Sequence, residues 1–68
     1  MKPDVIVTFA NQTTLFKALN QRVSEWLHHR CYLPAENVSG DTEFQVHPTR
    51  CKRIVEELKA AGFNVSNL

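Results

Sequence analysis

Glycine is scarce in this chain, with only Gly40 and Gly62 among 68 residues. Two isolated glycines cannot build the Gly-rich loops that bring backbone N–H groups onto a nucleotide phosphate. No apolar run approaches the roughly 18 residues of a membrane-spanning helix. The opening Met1-Lys2-Pro3-Asp4 places an acid ahead of a short apolar stretch, unlike a secretory signal. An excess of one charge is missing too, because eight Lys and Arg face seven Asp and Glu for a formal net charge of +1. That balance excludes a protein that coats nucleic acid by bulk charge and leaves only an uneven distribution as a route to such binding. There are two cysteines, which without a secretion signal are expected as reduced thiols in a cytoplasmic setting.

What is present reads as one compact α+β domain over 1–68. Hydrophobic residues make up 43% and charged residues 22%, which are globular proportions. The β-branched and aromatic stretch 4–9 predicts a strand, with Val5, Val7 and Phe9 on the face toward the helices and Ile6 and Thr8 on the other. Asn11 or Thr13 can cap a helix carrying Leu15, Phe16, Leu19, Val23, Trp26 and Leu27, whose spacing of three and four predicts about four turns ending near Arg30. Residues 32–38 predict a weak edge strand containing Pro34. Ser39-Gly40-Asp41 is a turn signal, and 42–46 alternates as a half-buried strand. Pro48 and Thr49 open a second helix with an apolar stripe of Ile54, Val55, Leu58 and Ala61. Gly62 stands where a C-cap glycine belongs, and 63–66 predicts a last short strand.

The resulting order, β-α-β-β-α-β, predicts a ferredoxin-like two-layer sandwich. The alternative is β-α-β-α with a two- or three-stranded sheet. In the ferredoxin-like arrangement the two helices run antiparallel, so the tail of the first helix meets the head of the second. That end gathers His28, His29, Arg30, Cys31, His47, Arg50, Cys51, Lys52 and Arg53.

Three site readings follow. His28, Cys31, His47 and Cys51 have the ligand types for zinc. The helix wheel turns Cys51 toward the core and His28 away from it, so the plainer reading is two packed thiols and surface imidazoles, with no cofactor. Arg30, Arg50, Lys52 and Arg53 around a helix N-terminus offer a phosphate or nucleic-acid site. The plainer reading pairs Lys52 with Glu56 and Arg53 with Glu57 along the helix. Ile6 on the open sheet face and Tyr32 near the helix tail are anchor candidates for a protein partner or a homodimer, which edge-strand pairing would also permit. Base stacking on the open sheet face is excluded, since that face carries no aromatic residue. Glu56 and Glu57 are adjacent and point apart, no third group positions a Cys–His pair, and a chain this short leaves little room for a catalytic cleft. The expectation is a non-enzymatic interaction or regulatory module, with nucleic-acid or phosphate binding as the alternative and no membrane contact.

Overall fold

The computed structural model describes residues 2–67. The chain is α+β, with a four-stranded mixed sheet and two helices in the order ββαβαβ. The elements are β1 (Val5–Ala10), β2 (Thr13–Ala18), α1 (Gln21–His29), a 3-10 turn (Ala35–Asn37), β3 (Thr42–Val46), α2 (Pro48–Ala60) and β4 (Val65–Asn67). The sheet runs β3-β2-β1-β4, with β1 antiparallel to β2, β2 antiparallel to β3 and β1 parallel to β4.

Two of the expected elements are corrected. The long first helix does not begin at Asn11 or Thr13, because 13–18 is a strand, so the ferredoxin-like order gives way to a hairpin followed by αβαβ. Asn11 and Gln12 take positive φ of 51° and 69°, and Ala10 pairs with Thr13 across them. This is a two-residue hairpin turn with both central residues left-handed, a geometry that favours Asn-Gly. Gln12 stands where glycine would announce the turn, and Leu15, Phe16 and Leu19 happen to fit a helical period. The alternation that decides the matter is Thr14, Phe16 and Ala18, all fully buried. The second correction concerns 32–38, which is no strand. Leu33 plugs into the core, residues 35–37 make a single 3-10 turn, and Thr42 Oγ1 donates to the Asn37 carbonyl at 2.6 Å. The role of outer strand on that side passes to β3.

One face of the sheet is apolar. Val7 pairs with Phe16 and Phe16 with Phe44, and the two phenyl rings lie 5.7 Å apart. Val23, Leu27, Ile54, Leu58, Leu33 and Phe63 complete a single cluster with the strand residues on this face, so both helices cover it. Val5, Val7, Phe16, Val23, Leu27 and Leu58 are fully buried, each contributing about 1.5–3 kcal/mol of transfer free energy. Phe9 departs from expectation. It shares the covered face by alternation, yet it lies at the end of β1 and is 67% exposed. Ala61, placed on the apolar stripe by its period, is the exposed C-cap of α2.

Helix α1 begins at Asn20, whose side-chain oxygen accepts from the Val23 N–H at 2.9 Å. This satisfies one of the orphan donors of the first turn. The Asn20 amide in turn donates to Asp4 Oδ1 at 2.8 Å, while the Asn64 N–H donates to Asp4 Oδ2 at 2.9 Å. The Asp4 N–H reaches the Asn64 carbonyl and the Leu19 N–H reaches the Asp4 carbonyl, both at 2.8 Å. One carboxylate thus ties together the start of β1, the cap of α1 and the entry to β4.

Two measurements follow. Gln12→Gly relieves the left-handed cost at the hairpin and raises stability by about 0.5–1 kcal/mol, read as a higher urea midpoint with an unchanged m-value. The hydrogen bond from Asn64, with help from Asn20 and the nearby Arg22, holds the Asp4 carboxyl below its ordinary value of 3.8. Its stabilising contribution is therefore present above about pH 4 and is lost as pH falls through the depressed folded value. Asp4→Asn is expected to lower stability near neutrality, with the gap from the parent narrowing as the pH drops into the acid range.

Candidate functional site

Both helices end the same way. At the tail of α1, Cys31 adopts φ of 65°. Its N–H donates to the His28 carbonyl and the Tyr32 N–H donates to the Leu27 carbonyl, each at 2.9 Å. At the tail of α2, Gly62 adopts φ of 93°, and the N–H groups of Gly62 and Phe63 reach the carbonyls of Lys59 and Leu58 at 3.0 Å. These are two Schellman endings, in which a left-handed residue reverses the chain and an apolar residue follows it. Glycine accepts that conformation freely, whereas cysteine bears a cost of about 1 kcal/mol.

Each ending throws an aromatic ring across to the other helix. Tyr32 donates its hydroxyl to Glu57 Oε2 on α2 at 2.6 Å. Phe63 meets the Trp26 ring of α1 edge-on, with centroids 5.6 Å apart at 65°. Between these two crossings runs a row of arginines. The Arg22 guanidinium lies 4.8 Å from the Phe63 centroid, Arg30 lies 5.0 Å from Trp26, and Arg50 lies 5.9 Å from Tyr32. These are cation–π distances. Arg30 Nη1 also approaches Glu57 Oε1 at 3.3 Å, and Arg53 Nε approaches Glu57 Oε2 at 3.4 Å. The seam between α1 and α2 is therefore continuous: Arg22, Phe63, Trp26, Arg30, Glu57, Tyr32, Arg53, Arg50.

Glu57 is the hub of this seam. The Tyr32 hydroxyl, followed by the charges of Arg30 and Arg53, holds its carboxyl below the ordinary carboxylate range. The same hydrogen bond, made to the neutral phenol, raises the Tyr32 hydroxyl above its usual value of 10.0. The i,i+4 pair of Arg53 with Glu57 forms as expected, and Arg30 joins it from the other helix.

The structure brings Arg30, Arg50 and Arg53 together and sends Lys52 elsewhere. Lys52 stands on the opposite flank of α2, where it lines a shallow hollow of about 500 Å³ with Phe9, Pro48, Cys51, Val55 and Lys59. Tyr32 is half-buried and tied to Glu57. Ile6 lies half-buried on the open sheet face, opposite Lys17 of β2. Leu15 and Lys17 join that face because 13–18 is a strand.

The four zinc-type residues do not converge, and both histidines are engaged in local contacts. His28 Nδ1 lies 2.9 Å from the Leu33 carbonyl. His47 caps α2, with Nδ1 accepting from the Thr49 N–H at 3.2 Å and lying 2.8 Å from the Thr49 hydroxyl. Cys31 and His47 share a small hollow of about 120 Å³ with Tyr32 and Arg50, whereas Cys51 lies on the Phe9 flank. Both thiols are free, Cys31 exposed and Cys51 half-buried. Among the described residues, no group of three or more His, Cys, Asp or Glu gathers to hold a metal ion.

Sequence reasoning passed over Arg22, Phe63 and Phe9. The signal for Phe63 was available, because an apolar residue directly after a C-cap glycine is the one that packs back on the helices. Arg22 was hidden because the ring it rests on, Phe63, lies beyond the second helix in the sequence. No helix among the described residues is long and apolar enough to cross a membrane. Comparison with protein-family models, with curated proteins and with solved structures finds no match.

Tyr32 is the only tyrosine, so its ionisation can be followed by absorbance in alkaline solution. Glu57→Gln removes the carboxylate that disfavours the phenolate and is expected to lower the tyrosine titration midpoint. An unchanged midpoint would show that the two side chains do not meet.

Proposed function

We propose that this chain is a non-enzymatic interaction module that associates with a second copy of itself through the flank formed by Phe9, β4 and the outer side of α2. The observation that carries the reading is the exposure of Phe9, a large apolar ring 67% open to solvent beside a hollow floored by Pro48, Cys51 and Val55. Leaving that ring in water forgoes about 1.5–3 kcal/mol of burial, and aromatic rings of this kind anchor interfaces.

Two features favour a second copy as the occupant. Strand β4 is an edge of the sheet, and its described residues pair only with Val5–Val7 of β1. Edge backbone groups invite strand pairing, and two β4 strands meeting about a two-fold axis would join two sheets into one. The rim of the hollow carries Lys52 and Lys59 with Glu56 between them in sequence. A patch with both signs can face its own copy, as an isologous interface requires. The reading is non-enzymatic because the titratable groups that converge, Tyr32, Glu57, Arg30 and Arg53, satisfy one another.

Sedimentation equilibrium over a wide concentration range provides the test. The expected result is a monomer–dimer equilibrium that Phe9→Asn weakens by about 2 kcal/mol or more, with the circular dichroism of the monomer unchanged. A parent protein that stays monomeric at its highest soluble concentration would overturn the proposal.

A further inference from the structure

The arginine seam between the helices lies on a different surface, and its chemistry points to a different ligand. Charge is unevenly shared between the layers. Arg22, Arg30, Arg50, Lys52, Arg53 and Lys59 stand on the helices or the α1 cap, against the carboxylates Glu25, Glu56 and Glu57. The remaining Lys2 and Lys17 face Asp4, Glu36, Asp41 and Glu43. A near-neutral protein therefore has a cationic helix layer.

Within that layer the four arginines of the seam have a particular arrangement. Arg22, Arg30 and Arg50 rest on the rings of Phe63, Trp26 and Tyr32, and Arg53 is 83% exposed at its side chain. A guanidinium laid on a ring is pre-oriented, so it loses less freedom when its N–H fork meets a phosphate. Arg22 and Arg30 are separated by about 12 Å along α1, at about 1.5 Å per residue. Each strand of a DNA duplex advances about 3.4 Å per phosphate along the helix axis, so the Arg22–Arg30 span matches roughly three to four phosphates of one strand. Glu57 is the carboxylate set inside the row, and it serves Arg30 and Arg53 together. Asp4 feels Arg22 but is itself bound by Asn20 and Asn64.

We infer that the α1–α2 seam binds the sugar–phosphate backbone of a nucleic acid, through Arg22, Arg30, Arg50 and Arg53, without reading its sequence. The aromatic faces are already covered by the guanidiniums, so bases have no platform on which to stack. Phosphate contact of this kind positions a strand and carries no sequence information. An acidic peptide is the less favoured ligand, because guanidiniums pre-oriented on rings present forks that match phosphate oxygens.

Trp26 is the only tryptophan and sits beneath Arg30, so its fluorescence reports directly on the seam. The experiment titrates the full chain with a single-stranded thymidine oligonucleotide and with a duplex of matched length, at several salt concentrations. The expected result is a Trp26 signal change with both, and a slope of log K against log salt of about −2.8 for the single strand and about −3.6 for the duplex with four phosphate contacts. Arg22→Gln with Arg50→Gln removes the two ends without touching the Glu57 ion pairs and is expected to cut that slope by about half. Glu57→Gln removes the competing charge and is expected to tighten binding several-fold, while Lys52→Gln with Lys59→Gln, on the other flank, leaves it unchanged. No binding at low salt, an equal loss from the lysine variant, or equally tight binding of poly-glutamate would each overturn the proposal.

Discussion

Two left-handed residues hold this domain's helical layer in place. Cys31 and Gly62 each end a helix, and each directs the next side chain, Tyr32 or Phe63, onto the opposite helix. The crossings are reciprocal, and everything else in the seam is arranged between them. Exposed ion pairs contribute about 0–1 kcal/mol each, so Arg30–Glu57 and Arg53–Glu57 add orientation more than adhesion. The adhesion comes from buried Phe63, half-buried Trp26 and Tyr32, and the core beneath. Cys31 carries the cost of a conformation that glycine at position 62 adopts without strain, so the Tyr32 crossing is held less cheaply than the Phe63 crossing.

Helix α2 divides the surface of the molecule in two. Its inner side presents Arg50, Arg53 and Glu57 to α1, while its outer side presents Lys52, Val55, Glu56 and Lys59 toward Phe9. The 3.6-residue period alone creates this split, because positions 50, 53 and 57 share one face and 52, 55, 56 and 59 share another. A short domain can thus offer one flank that is apolar and bordered by mixed charge and another that is aromatic and cationic, with a single helix between them.

Much of this was legible in the sequence, and the reasons for the remainder are physical. The strand at 42–46, the proline-led start of α2 and the glycine at its end all follow from local chemistry that no tertiary contact overrides. The hairpin at 11–12 was hidden because Gln12 adopts a left-handed conformation without being glycine, and because Leu15, Phe16 and Leu19 satisfy a helical spacing by coincidence. The meeting of the α1 tail with the α2 head was nonetheless foreseeable. It requires only that the two helices run antiparallel, which the true ββαβαβ order preserves. What spacing could not reveal was the cross-helix grip on Glu57, since Tyr32 and Arg30 reach it from 25 and 27 residues away. Nor could spacing show that Phe9, on the covered face by alternation, lies beyond the helices that cover it.

Proton–proton contacts in solution, measured by nuclear Overhauser spectroscopy on the intact chain, test the central claim most directly. Reciprocal helix endings predict contacts from the Phe63 ring to Trp26 and Arg22, and from the Tyr32 ring to the side chains of Arg50 and Glu57, all in the same sample. Rings that instead show contacts only within their own helices would contradict the crossed arrangement and, with it, the arginine row that depends on it.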